Sequence, residues 1–354
     1  MAERRTGLIS AGIVSVLFGA GYGATKLLAA SDRRRTGVDR QRVARAMEYL
    51  TEPVGTRHHL FASADGGQLH AVEHGRPEAK PIVLLHGVNL AAALYNHALA
   101  DLGHRFRVIA LDWRGHGRSR PGRDGYGLGQ LGNDVATLLE HFDLRDAVVL
   151  GHSMGGMGLG RFAVDHPDVR SRRVSGLVFC DTAAFDVGRL PHFLRALQPT
   201  LASLSARRPE LVGRIAQAPR GDLGYAANRL VFGKHPDPMA VEQHRLMYDA
   251  MSPEAMSNSM LPLLFHDLRL SLPSVTTPSL VMVGADDPLT PPSQAQALLQ
   301  LLPNGRLHTF PEVGHVPMLE CRDEFARVLA AFAEEVQSRD HRMTTARGEG
   351  EPVR

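Results

Sequence analysis

Residues 146–157 contain the feature that most constrains the fold, a Gly-x-Ser-x-Gly motif between a strand-like and a helix-like stretch. A β-branched run at 148–150 precedes the motif at 151–155, and an apolar helical pattern continues to about His166. Such a turn is so tight that side chains on its two glycines would collide with backbone, and Ser153 is held in a strained conformation with its hydroxyl exposed. The pattern predicts a nucleophilic serine at a strand–helix junction; the alternative is an ordinary glycine-rich βα turn.

The chain around this motif alternates between buried, strand-like runs and amphipathic, helix-like runs. This alternation predicts an α/β fold with a mostly parallel sheet covered by helices on both faces. The predicted strands are 58–63 and 68–74, which form a hairpin around an Asp-Gly-Gly turn, then 81–87, 107–111, 174–180, 279–283 and 306–310; the clearest predicted helices are 128–142 and 322–336.

The strand rhythm disappears between residues 185 and 272, which are helix-like, interrupted by prolines and rich in methionine. A helical insertion between two strands of a sheet predicts a lid, which we place at 185–270. Its methionines fit two interpretations: the hydrophobic core of the lid, or an adaptable lining for an apolar substrate.

Residues 6–25 contain no charged side chain and are long enough, at about 1.5 Å per residue, to cross a bilayer as a helix. We predict a transmembrane anchor at 1–30; a cleaved signal segment of a secreted protein is the alternative. More Lys and Arg follow the segment than precede it, which favours a cytoplasmic catalytic body. Ser15, Gly19 and Gly23 repeat at the spacing of paired membrane helices, which would allow a weak homodimer.

The other predicted segments are a charged linker at 31–53, a folded core at 54–184 and 271–338, and a disordered tail at 339–354. Residues 1–45 carry nine Lys and Arg against three Asp and Glu, a surplus larger than the net charge of +3 of the whole chain. The folded body is therefore not basic, and we expect no nucleic-acid partner. Cys180 and Cys321 fit no metal-binding spacing, and we expect neither a metal nor a cofactor.

A serine hydroxyl is a weak nucleophile at neutral pH and needs a base, which in turn needs an acid to orient it. Two predicted strands end in suitable residues: 279–283 runs into Asp286 and Asp287, and 306–310 runs into His315. Reacting groups of α/β proteins gather where parallel strands end at their carboxyl edge. The order Ser153, Asp287, His315 is that of the nucleophile-elbow hydrolases.

The chain resembles the α/β-hydrolase superfamily, in its lid-bearing serine esterase-like branch, over residues 54–336. Five motifs carry the resemblance in order: His86-Gly87, the Asp112-x-Arg-Gly-His-Gly-x-Ser119 turn, the serine motif, Gly284-x-x-Asp287-x-x-x-Pro291, and Gly314-His315.

The resemblance implies an eight-stranded sheet with the lid inserted after the sixth strand. It also implies Ser153 as nucleophile, His315 as base, Asp287 as acid, and the backbone N–H groups of Val88 and Met154 as the oxyanion hole. The Gly-x-x-Asp spacing of the superfamily selects Asp287 over Asp286.

Three other polar residues are expected to be supporting rather than reacting groups. Asp112 ends a strand, but in this motif its carboxylate usually ties down the turn that follows. His86 and His152 flank the predicted site, and we interpret both as hydrogen-bonded support.

The predicted activity is hydrolysis of carboxylic esters of small or lipid-like apolar substrates through an acyl-enzyme. The motifs leave open acyl transfer to another acceptor, carbon–carbon bond hydrolysis and cofactor-free peroxidation. A membrane-anchored ligand-binding or scaffold protein is the non-enzymatic alternative, because fold alone does not prove catalysis.

Overall fold

The computed structural model of the chain describes residues 46–47, 50–185, 207–208, 222–263 and 265–348. Within them, eight strands form one sheet in the order β1-β2-β4-β3-β5-β6-β7-β8. The β1–β2 and β2–β4 pairs are antiparallel and every other pair is parallel, as predicted. The strands are β1 Arg57–Ala62, β2 Gln68–His74, β3 Pro81–Leu85, β4 Arg107–Asp112, β5 Ala147–His152, β6 Val174–Cys180, β7 Ser279–Gly284 and β8 Gly305–Phe310.

The central strands are buried on both faces, which explains their continuous apolar sequences. In β3, Ile82 and Leu84 enter one hydrophobic core, and Val83 and Leu85 enter the other, because successive side chains of a strand point to opposite faces. Helices α1 (Asn96–Leu102) and α10 (Arg322–Gly348) cover the first core, and helices α2 (Leu128–His141), α3 (Met154–Asp165) and α8 (Pro292–Leu301) cover the second. Two short helices, α4 (Pro167–Arg173) and α9 (Pro317–Glu320), follow α3 and β8.

Helix α2 shows how the amphipathic pattern becomes packing. Its leucines and valine at 131, 135, 138 and 139 are buried against the sheet. A Cβ at Gly132 would lie 2.9 Å from the backbone nitrogen of Phe162, so the glycine permits a close crossing of α2 and α3. That crossing holds α3, the helix behind Ser153, against the sheet.

Helices occupy the described part of the interval between β6 and β7: α5 (Asp222–Arg229), α6 (Pro238–Ala250) and α7 (Pro253–Leu263). Met251 and Met256 are buried in a small cluster with Tyr248 and Ala255, and Met247 is buried in the main core. Met251 and Met256 therefore pack inside the inserted segment, and Met247 packs into the main core beneath it.

The carboxyl-terminal helix differs from the prediction. We expected a disordered tail at 339–354, but α10 continues to Gly348. Residues 339–347 include good helix formers such as Arg, Met and Ala, and each residue added to an established helix gains a backbone hydrogen bond at small entropic cost. The predicted transmembrane stretch, 6–25, lies outside the described residues. Among the helices that are described, none combines the length and the apolar character needed to span a bilayer.

A buried ion network joins the loop after β1 to α2. Arg114 is 1 % exposed and donates to Asp65 at 2.9 Å and to Asp134 at 2.7 Å. Its guanidinium also donates to the carbonyl of Gly125 at 2.7 Å. Burial alone would raise the pKa of Asp65, but hydrogen bonds from Arg114 and Ser63 hold that pKa well below its usual range. A fully buried ion network of this kind is costly to break, because the remaining charge keeps its desolvation penalty.

We expect Asp134→Ala to lower the free energy of unfolding by about 3 kcal/mol or more, since it leaves the buried Arg114 guanidinium half-paired. Urea unfolding followed by circular dichroism measures this change. The control is Asp165→Ala, which removes the same group from a partly exposed pair with Arg161 and should cost about 0.5 kcal/mol or less. Equal losses in the two variants would contradict the assignment.

Candidate active site

Ser153 lies at the junction between β5 and α3 with a backbone conformation that L-residues rarely adopt. Its φ is 53° and its ψ is −119°. The conformation is maintained from both sides: the Ser153 N–H donates to the carbonyl of Cys180 at 3.0 Å, and the Thr182 hydroxyl donates to the Ser153 carbonyl at 2.7 Å. For a residue other than glycine, holding such a backbone conformation costs about 1–3 kcal/mol, and conformations of this kind are typical of functional sites.

Glycines make this junction sterically feasible. A Cβ on Gly151 would lie 2.4 Å from the carbonyl oxygen of Gly155, and one on Gly155 would lie 2.3 Å from that of Leu85. Contacts under 3 Å with backbone atoms are not tolerated, so helix α3 can approach β3 and β5 this closely only with glycine at both positions. The two glycines predicted as sterically necessary are necessary for the reason expected.

Asp287 and His315 form the central hydrogen bond of the site. The Nδ1 of His315 lies 2.8 Å from Oδ2 of Asp287, and both residues are buried. Asp287 also accepts hydrogen bonds from the N–H groups of Leu289 at 2.8 Å and Thr290 at 3.0 Å, and from the Thr290 hydroxyl at 2.7 Å. Because a carboxylate only accepts, Nδ1 of His315 carries the proton, and Nε2 is left as the basic ring nitrogen.

The pKa of the Asp287 carboxyl reflects these contacts. Burial alone would raise it, but the adjacent charge of His315 and the hydrogen bonds from His315 and Thr290 hold the pKa well below the ordinary range of an aspartate. The neighbouring Asp286 is placed differently. Its carboxylate lies 3.8 Å from the ammonium of Lys234 at the surface, so the hydrogen bond to His315 is made by Asp287 and not by Asp286.

The loop that carries His315 is held by the inserted helical segment. The His315 N–H donates to the carbonyl of Val231 at 2.7 Å. Glu320, at the end of α9, accepts from the N–H of Gly233 at 2.7 Å and from that of Gly314 at 3.0 Å. The same carboxylate therefore binds the insertion and the histidine loop together.

Ser153 and His315 face one cavity of about 80 Å³, enough for several water-sized groups. No direct hydrogen bond joins these two described side chains. The hydrogen bond between a catalytic serine and its histidine base often forms only when substrate binds. The surface of the cavity is mainly apolar, and residues of α5 and α6 form part of its wall. The other lining residues are Gly87, Val88, Asn89, Leu90, His152, Ala227, Asn228, Val231, His244, Tyr248 and Leu289.

Comparison with known proteins identifies the family of the chain. The sequence profile of the alpha/beta hydrolase fold family matches residues 80–320. The chain belongs to the α/β-hydrolase family. It is 28 % identical over 260 residues to a pimeloyl-[acyl-carrier protein] methyl ester esterase of Chromobacterium violaceum, covering 72 % of this chain and 94 % of that protein.

Two further relatives place the fold in the same family. A non-heme chloroperoxidase of Burkholderia pyrrocinia is 27 % identical over 281 residues, covering 76 % of this chain and 97 % of that protein. The solved structure of a thermophilic esterase from Thermogutta terrifontis superposes with a TM-score of 0.65 at 23 % identity, covering 79 % of this chain and 99 % of that one. The protein is thus an α/β-fold hydrolase.

Val88 and Met154 are the residues predicted to supply the oxyanion donors. Met154 is the first residue of α3, and N–H groups in the first turn of a helix have no intrahelical acceptor. Val88 follows Gly87, whose added Cβ would lie 3.1 Å from the Cβ of Ser153. Both backbone segments therefore approach the serine closely, and their role as oxyanion donors stays a prediction.

The polar residues expected to be supports have such contacts in this α/β-hydrolase. His86 Nε2 accepts from the Trp113 N–H at 3.1 Å, and His152 Nε2 donates to the His315 carbonyl at 2.7 Å. The Asp112 carboxylate accepts from the N–H groups of Ala92 at 2.7 Å and Arg118 at 2.9 Å, which fixes the turn after β4.

Among the described residues, Asp181, Asp287 and His315 form one group that offers three metal-type ligand atoms within 4.8 Å of one another. Asp287 and His315 already hydrogen-bond each other, so the group is equally suited to holding a proton. The absence of a metal cofactor stays a prediction.

Sequence reasoning missed Asp181, Glu320 and His244. Asp181 could have been found, because it lies just after the end of β6, at the same edge of the sheet where Asp287 lies after the end of β7. Glu320 and His244 carry no such signal, since their roles depend on how the insertion packs on the sheet.

We expect Ser153→Gly to be more stable than Ser153→Ala by about 1 kcal/mol or more. Glycine adopts the Ser153 backbone conformation without steric cost, whereas alanine keeps the strain. Urea unfolding of the two variants measures this difference in the free energy of unfolding. Because both variants lack the serine hydroxyl, the loss of its polar contacts affects them equally. An alanine variant as stable as the glycine variant would show that the junction is unstrained.

Proposed function

We propose that this α/β-hydrolase cleaves carboxylic esters through an acyl-enzyme, with Ser153 as nucleophile, His315 as general base and Asp287 as the orienting acid. The observation that carries the proposal is the buried 2.8 Å hydrogen bond between His315 and Asp287, at a cavity that also contains the strained Ser153. It leaves Nε2 of the imidazole free to take a proton, and it places a negative charge where the imidazolium will form.

The reaction proceeds in two halves. His315 Nε2 removes the Ser153 proton as Oγ attacks the ester carbonyl, and the developing oxyanion is stabilised by the N–H groups of Val88 and Met154. The imidazolium then protonates the leaving alcohol. In the second half His315 takes a proton from a water molecule as its oxygen attacks the acyl carbonyl, and the imidazolium returns this proton to the Ser153 oxygen as the acid is released.

The predicted lid, 185–270, of which residues 186–206, 209–221 and 264 lie outside the described residues, would cover this site through its described helices α5 and α6. Residues of α5 and α6, including Ala227 and Tyr248, line the cavity, and Val231 anchors the His315 loop. The mainly apolar lining supports small or lipid-like apolar esters as substrates.

Cofactor-free peroxidation is the second candidate, favoured by the similarity to a non-heme chloroperoxidase. The same nucleophile serves both reactions, but peroxidation needs hydrogen peroxide and an organic acid as co-substrates. Ester hydrolysis without halide oxidation in acetate and peroxide would support the esterase. Adding acceptor alcohols to the same assay tests acyl transfer through the new ester that would form. Adding a β-diketone tests carbon–carbon bond hydrolysis through its cleavage.

We expect Ser153→Ala and His315→Ala to abolish labelling by a fluorophosphonate probe and turnover of p-nitrophenyl esters. Asp287→Asn should lower kcat by about 10³–10⁴-fold, because the wrong imidazole tautomer is favoured. The matched control is Asp286→Asn, which removes the same charge one residue away and should stay within about two-fold of wild type. Labelling that survives Ser153→Ala, or an inactive wild type, would refute the proposal.

We further propose that residues 6–25 anchor the protein in a membrane with the catalytic body on the cytoplasmic side, the secreted form being the alternative. The support is the uncharged length of the segment and the basic residues that follow it. We expect the full chain to stay in the membrane fraction after a high-pH carbonate wash. Release of the full chain, or a mature amino terminus near residue 30, would contradict the anchor; crosslinking of the retained protein tests the homodimer.

A further inference from the structure

A second carboxyl lies behind the Asp287–His315 pair. Asp181 directly follows β6, is fully buried, and has a left-handed φ of 43°. One of its carboxyl oxygens lies within 4.8 Å of the corresponding ligand atoms of Asp287 and His315. The esterase mechanism above does not use this group.

Two buried carboxyls this close cannot both be ionised beside one imidazole. No described Lys or Arg side chain forms an ion pair with Asp181 or Asp287, so two negative charges would face a histidine with at most one positive charge. Like charges at this separation in a buried site raise the pKa of one member of the pair. One carboxyl must therefore keep its proton.

The hydrogen bonds identify which carboxyl is protonated. Asp287 accepts from two backbone N–H groups, one hydroxyl and the imidazole, and these donors stabilise a carboxylate. Asp181 accepts one backbone hydrogen bond, from Gly284 at 2.8 Å, and a weak contact from the Cys180 thiol at 3.2 Å. The negative charge therefore lies on Asp287 and the proton on Asp181.

The other titratable groups around Asp181 do not reverse this assignment. The thiols of Cys180 and Cys321 both have raised pKa values, caused first by burial and then by nearby acidic side chains, so both are neutral. Burial, followed by the charge of Asp287, likewise raises the pKa of Asp181 well above that of an exposed aspartate.

We propose that Asp181 is a positioning residue of this site, a neutral carboxylic acid whose O–H donates a hydrogen bond to the Asp287 carboxylate. Its catalytic part rests on the proposed esterase function. The O–H adds to the donors that already surround the Asp287 carboxylate, and the Asp181 carbonyl oxygen accepts from the Gly284 N–H at the end of β7. Asp181 thereby holds the Asp287 carboxylate against His315 without adding charge to the site.

Two variants fit the left-handed backbone at this position. Asp181→Asn keeps a donor and an acceptor without ionising, and Asp181→Gly removes both; Asn and Gly tolerate positive φ better than other residues. Any difference between the variants therefore reports the side chain and not backbone strain.

The stability test uses the enzyme without substrate. A raised folded-state pKa means that the Asp181 proton stabilises the fold fully only below the pKa of an unfolded aspartate, about 3.9, and that this contribution is lost as pH rises above it. The Asn variant has no proton to lose. We expect the Tm of Asp181→Asn minus that of wild type to grow as pH rises above about 4 and to level off only above the raised folded-state pKa of Asp181. A difference that stays constant over this range would overturn the proposal.

The kinetic test separates positioning from general destabilisation. On a p-nitrophenyl ester at neutral pH, Asp181→Gly should lower kcat about ten-fold or more with KM nearly unchanged, because Asp287 loses a donor, and Asp181→Asn should restore most of it. Asp181→Gly with wild-type kcat, or Asp181→Asn as impaired as Asp181→Gly, would overturn the positioning role. An inactive wild type would refute the esterase instead, while the pH dependence of Tm would still decide the protonation of Asp181.

Infrared spectroscopy of wild-type protein labelled with ¹³C-aspartate keeps the proposal testable if the variants do not fold. A protonated aspartate carbonyl band is expected at the neutral pH of the kinetic assay, and its absence would overturn the assignment. A metal ion held by the same three residues would displace this proton, so loss of the band and a higher Tm on adding Zn²⁺ would also overturn it.

Discussion

The close approach of helix α3 to the strands beside it is the constraint on which this structure depends. A Cβ on Gly151 or Gly155 would overlap the backbone of α3 or of β3. With glycine at both positions, the helix begins immediately after β5, and Ser153 must turn the chain within one residue. The strained φ of Ser153 is thus a direct result of packing.

The parallel sheet converts this local constraint into a site made from distant residues. Successive strands β5 to β8 end at one edge and are tied to each other there: Ser153 N–H to Cys180 carbonyl, Asp181 N–H to Met282 carbonyl, and Ala285 N–H to Phe310 carbonyl. These backbone hydrogen bonds, together with that between His152 and the His315 carbonyl, fix the relative positions of the strand ends. The sheet therefore fixes where the loops that carry Asp287 and His315 begin, and contacts with the inserted segment hold the histidine loop in place.

Much of this architecture could be predicted from sequence because strands that are buried on both faces have continuous apolar sequences. Val174–Cys180 agrees with its prediction residue for residue, and the strand predicted at 279–283 extends only to Gly284. Asp287 was selected over Asp286 by resemblance to the superfamily's Gly-x-x-Asp spacing, and it is Asp287 that hydrogen-bonds His315. These signals are local, and a local pattern is what sequence reasoning can detect.

What sequence could not supply depends on contacts between segments far apart in the chain. Glu320 binds the N–H groups of Gly233 and Gly314 only because the insertion packs on the histidine loop. The helix that continues to Gly348 contradicts a tail composition typical of disorder, because a helix already anchored by packing extends more easily than a new one forms. The role of Glu320 and the length of α10 both depend on tertiary packing, which the local sequence does not encode.

The electrostatics of the cavity explain why one of its three histidines is distinguished. Burial, and then the charge of His315, lowers the pKa of His152 well below normal and that of His244 to about 3. His152 bonds a backbone carbonyl and His244 Nδ1 bonds the amide oxygen of Asn228 at 2.7 Å. Neither acceptor carries a charge that would stabilise an imidazolium. His315 alone among the three bonds a carboxylate, which is the contact that its proposed role as general base requires.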